Sequence, residues 1–71
     1  MRLVVLGNYR TSTQANLVKS RLEAEGIAAT VSADVSSLGL PPLELAGGVQ
    51  VVVREADRAA AYEVLERMLP G

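Results

Sequence analysis

With 71 residues, seven basic and eight acidic side chains, the chain is long enough for one domain, 1–71, and has no charge bias toward nucleic acid or an anionic membrane surface. It contains no cysteine and no histidine, which excludes disulfides, thiol catalysis and zinc–cysteine sites and removes the commonest general base and metal ligand. A domain this small buries only about 60% of the surface its unfolded chain exposes, for a core worth about 3–5 kcal/mol, so a partner or a second copy often adds to it.

Residues 2–9 (RLVVLGNY) are short, apolar and β-branched and predict a strand. The same stretch is too short for a secretion signal, and nothing approaches the ~18 apolar residues of a membrane span, so a cytoplasmic protein is expected. Thr11 and Gln14 have capping-box spacing at a helix start. Ala15, Val18 and Leu22 then recur on one helical face, and Gly26 stands where the helix stops as a left-handed residue. Residues 27–33 (IAATVSA) form a second strand with Ile27, Ala29 and Val31 on one face. Residues 34–48 are a long connection with two prolines and three glycines. Residues 49–54 (VQVVVR) form a third strand, and 55–69 a second helix. That helix has Glu55 and Asp57 in its first turn and Ala61, Val64, Leu65 and Met68 as its apolar stripe.

The order β-α-β-β-α predicts an α+β fold, a ferredoxin-like split βαβ sheet lacking its last strand. Its three antiparallel strands would run in the order 1-3-2, with both helices on one face. The missing strand leaves the first strand as an edge, open to pairing with another chain.

No catalytic constellation emerges. The eight acidic residues mostly suit solvated helix faces, and no cofactor is implied. Gly7, Asn8 and Arg10 follow the first strand, as a phosphate loop would in acylphosphatases of the complete fold, but the motif of that family is absent. Tyr9 and Tyr62 are the only aromatics and the third strand has none, which argues against base stacking. Arg10, Thr11, Ser12 and Thr13 sit at a helix start, where hydroxyls and an arginine could hold an anion. Plain capping is the simpler reading. Gly47-Gly48 suits a turn better than a phosphate cradle, because no Lys-Ser/Thr follows.

Two features point to association. The 34–48 connection is long for a hairpin and carries Val35, Leu38, Leu40, Leu43 and Leu45, which a disordered segment would lack. If Leu3 and Val5 face the helices, Val4 and Leu6 point away beside Val52, an apolar cluster that a second subunit or the connection would cover. The expected interaction residues are therefore Val4, Leu6, Leu38, Leu40, Leu43, Leu45 and Val52.

The run Ala15-Asn16-Leu17-Val18-Lys19-Ser20-Arg21-Leu22-Glu23-Ala24-Glu25-Gly26-Ile27 resembles a stretch of a small bacterial family of prokaryotic signal-transducing proteins. So do Gly47-Gly48-Val49, Glu55-Ala56-Asp57 and Ala60–Leu65. The matched positions are turns, a cap and core residues, and they name no active site. The resemblance implies a fold grouped with the PII-like nitrogen regulators, oligomers whose long loop between the second and third strands contacts the regulated partner. The matching segment here is 34–48. It departs from that pattern in length and lacks recognisable nucleotide-binding residues, so ATP or 2-oxoglutarate sensing is not implied. The sequence thus leads to a non-enzymatic interaction or regulatory module, a homodimer or higher oligomer with a protein partner. The alternative is a small-molecule or anion sensor binding at Arg10–Thr13.

Overall fold

The computed structural model describes residues 2–33 and 48–68. In chain order they form β1 (Leu3–Tyr9), α1 (Ser12–Ala24), β2 (Ala29–Ser32), β3 (Val49–Arg54), a 3-10 turn (Glu55–Asp57) and α2 (Arg58–Met68). The sheet has three antiparallel strands in the order β1-β3-β2, as the sequence predicts.

Both ends of α1 are fixed by local chemistry. At its start the Thr11 hydroxyl accepts the Gln14 backbone N–H at 3.2 Å, satisfying one of the donors a helix start leaves free. At its end Gly26 adopts φ +82°, and its N–H donates to the Glu23 carbonyl at 3.0 Å. The Ile27 N–H donates to the Leu22 carbonyl at 2.9 Å, and both side chains are buried in the core. Together these make a Schellman stop with its hydrophobic contact. The second helix begins later than predicted. Residues 55–57 are a 3-10 turn, beside which the Asp57 carboxylate accepts the Arg54 Nε–H at 2.8 Å, and α2 proper starts at Arg58.

The core lies on one face of the sheet. Ala15, Val18 and Leu22 of α1 and Ala61 and Val64 of α2 pack with Leu6, Ile27, Val51 and Val53. Val4, Tyr9, Ala29, Val31, Val49, Leu65 and Met68 pack around them, partly buried. Both helices therefore cover the face that carries Val51 and Val53.

This placement corrects the expectation that Val4 and Leu6 point away from the helices. Val4 is opposite Val53 and Val5 opposite Val52, but Gly7, not Leu6, is opposite Val51. Leu6 is the extra residue of a β-bulge, and it is buried in the helix-facing core. Because the first strand is apolar on both faces from Leu3 to Leu6, its pattern does not fix which face is inward. The bulge then shifts the alternation by one residue, so that Val4 before it, Leu6 in it and Tyr9 after it all face the helices.

Candidate functional site

Partner residues of an antiparallel pair share a face. The side of the sheet away from the helices therefore carries Leu3, Val5 and Asn8 from β1, Gln50, Val52 and Arg54 from β3, and Thr30 and Ser32 from β2. Leu3 and Val5 are half-buried and Thr30 is exposed. Val52 is only 1% exposed within the single chain, so it is not a free surface for a second subunit. Next to it Gln50 is buried, and its amide donates to the Asn8 side-chain oxygen at 2.8 Å, which satisfies a polar group on this face.

The far end of this pair of strands is held by a glycine. Gly48 has φ +99°, and a Cβ there would lie 2.6 Å from Asn8 Oδ1 and 2.9 Å from the Tyr9 carbonyl oxygen. The residue must be glycine both for its backbone and for its space. This agrees with reading Gly48 as a turn residue; Gly47 lies outside the described residues.

At the other end, the edge of β1 is set by its first hydrogen bond. The Glu55 N–H donates to the Arg2 carbonyl at 2.8 Å, so Arg2 turns its backbone toward the β3 side. Alternation along an extended strand then turns the backbone groups of Leu3 and Val5 outward, away from β3. Among the described residues β1 is an edge strand, and its outward-facing residues before the bulge, Leu3 and Val5, are apolar.

Arg10, Thr11, Ser12 and Thr13 are all exposed at the start of α1. The Thr11 hydroxyl is engaged in capping, and the Ser12 carbonyl accepts the Asn16 side-chain amide at 2.9 Å. Of the groups that could meet an anion, the Thr11 hydroxyl and the Gln14 N–H are thus engaged with each other. Leu38, Leu40, Leu43 and Leu45 lie outside the described residues. Among the described residues no group of three acidic side chains stands close enough to hold a metal ion, and no helix is long and apolar enough to cross a membrane.

The model of a family described as "Putative prokaryotic signal transducing protein" matches residues 8–69. The chain belongs to that family. The match runs from Asn8, near the end of β1, through the α1 stop at Gly26 and both helices, and leaves out Leu3–Gly7 of β1. No curated protein and no solved structure matches the chain.

Sequence reasoning missed Leu3 and Val5 as the residues that face away from the helices. An isolated glycine inside a strand pattern, here Gly7, marks a bulge, but the phase of the apolar Leu3–Leu6 stretch before it is set only by its register with β3.

Proposed function

We propose that this member of the family is a non-enzymatic interaction module of the signalling type, working as a homo-oligomer. The family's description supports the signalling role. The observation that carries self-association is the β1 edge, where Leu3 and Val5 turn their backbone groups outward beside half-buried apolar side chains. A second copy pairing there across a two-fold axis would continue the sheet and close both edges at once, in the commonest symmetry of soluble assemblies. In this reading the apolar 34–48 segment is the element that meets a regulated partner, as the long loop of PII-like regulators does.

Val5→Pro tests the edge. Its N–H points away from β3, so proline removes a pairing donor without removing a ladder bond inside the chain. The expected result is a folded monomer where the wild type is a dimer. A wild type that scatters as a monomer at tens of micromolar removes the homo-oligomer from this reading. For the 34–48 segment, replacing Leu40 and Leu43 by serine should abolish capture of the partner with little change in melting temperature. A sharp fall in melting temperature instead would make those leucines core.

A further inference from the structure

Between α1, α2 and the end of β1 lies an open cavity of about 330 Å³, lined among the described residues by Tyr9, Val18, Leu65 and Met68. Three of these four walls are aliphatic or thioether, and the polar atom they offer is the Tyr9 hydroxyl. The tyrosine ring is not placed there by chance of rotamer alone. A Cβ at position 7 would lie 3.1 Å from Tyr9 Oη and 3.2 and 3.3 Å from its Cε2 and Cζ atoms. Because Gly7 has no side chain, the ring folds back against its own strand, two residues away on the same face, and leaves the space beside it open. A side chain at position 7 would push the ring toward that space.

We propose that this cavity is a binding site for a small, uncharged, largely apolar molecule whose single polar atom meets the Tyr9 hydroxyl. Its volume is at the small end of the range for ligand cavities, about 300–1,000 Å³. A charged ligand finds no counter-charge among the described lining residues, and a strongly polar one leaves its groups unpaired against Val18, Leu65 and Met68. The unbranched Met68 side chain adapts to a guest of irregular shape. The Tyr9 phenol carries its proton at neutral pH and can donate it to the ligand; burial, with a smaller contribution from Tyr62, raises its pKa further. This site is separate from the β1 edge, and its failure would leave self-association untouched.

The test uses the full chain with benzyl alcohol and toluene as probes. Binding is followed by methyl resonances of Val18, Leu65 and Met68, and by tyrosine fluorescence in a Tyr62→Phe background, where Tyr9 is the sole fluorophore because the chain has no tryptophan. Saturable shifts confined to the methyls of those three residues are expected, with benzyl alcohol binding about fivefold tighter than toluene, the worth of one net hydrogen bond. Tyr9→Phe should erase that difference, and Leu65→Phe should abolish binding of both probes without lowering the melting temperature. Shifts that never saturate, or that spread evenly over exposed Leu17 and Tyr62, would overturn the proposal. So would contacts from Leu69 to the cavity methyls in the free protein, or occupancy that rises with protein concentration; these would assign the space to the chain's own terminus or to a second copy.

Discussion

At the scale of single residues, two glycines separate backbone strain from steric clash. Gly26 and Gly48 both have positive φ, +82° and +99°, but a Cβ at Gly26 meets nothing within 4 Å while one at Gly48 meets Asn8 and the Tyr9 backbone. Gly26→Ala should cost about 1–2 kcal/mol, the conformational term alone. Gly48→Ala should cost clearly more, and chemical denaturation of the pair measures the difference. Leu6 gives a sharper test of the corrected strand phase. It is 6% exposed and belongs to the helix-facing core, so Leu6→Lys should unfold the domain, because an unpaired buried charge costs about 3–5 kcal/mol. A Leu6→Lys variant that stays folded would restore the outward reading. Tyr9 adds a pH dependence. Its pKa is raised from 10.0 in the folded chain, mainly by burial, so the folded state holds its proton to higher pH than the unfolded state. Its contribution is therefore fully present below pH 10.0 and lost as pH rises through the folded value. Wild type should lose stability faster than Tyr9→Phe above that point in thermal melts.

At the scale of elements, what was legible in the sequence is what local chemistry dictates. The Thr11 cap, the Gly26 stop and the Ala15–Val18–Leu22 stripe each follow from side chains within a turn of one another, and each is in the structure where the sequence puts it. Strand β3 runs from Val49 to Arg54 as predicted, from a short valine-rich run that follows a glycine and gives way to the acidic Glu55. Strand β1 was legible as a strand but not in its phase. Its apolar residues occupy both faces, so only the partner register decides which face is inward, and that register contains the bulge. The second helix was read as starting at Glu55, whereas a 3-10 turn at Glu55–Asp57, with Asp57 paired to Arg54, precedes it. The α1 start bears on the anion alternative. Thr11→Ala should cost about 1 kcal/mol through loss of the cap. If the Arg10–Thr13 start also held an anion, phosphate would raise the melting temperature of wild type by mass action and that of Thr11→Ala by much less. A cap alone gives no phosphate shift in either protein.

At the scale of the whole molecule, the main core lies on one side of a three-stranded sheet, while Val52 and Gln50 are buried on the other. Two helices fill the face of Val51 and Val53, and the Arg67 guanidinium joins Glu25 at 3.1 Å across the two helices. That ion pair is exposed and adds at most about 1 kcal/mol, so the core carries the fold, and Val51→Asp should unfold it. On the opposite face Val52 is already buried and Gln50 already paired, which leaves the outward stretch of β1 before the bulge as the place where a second copy would add most. The candidate site was only half legible for this reason: an edge is a property of strand order, visible from the element pattern, whereas the residues presented on it depend on strand phase. The most direct measurement is the solution mass of wild type and Val5→Pro by light scattering at tens of micromolar, with a thermal melt of each. The account expects twice the chain mass for wild type, the single-chain mass for Val5→Pro, and cooperative unfolding in both. A wild type at single-chain mass, or a folded Val5→Pro that remains dimeric, would contradict it.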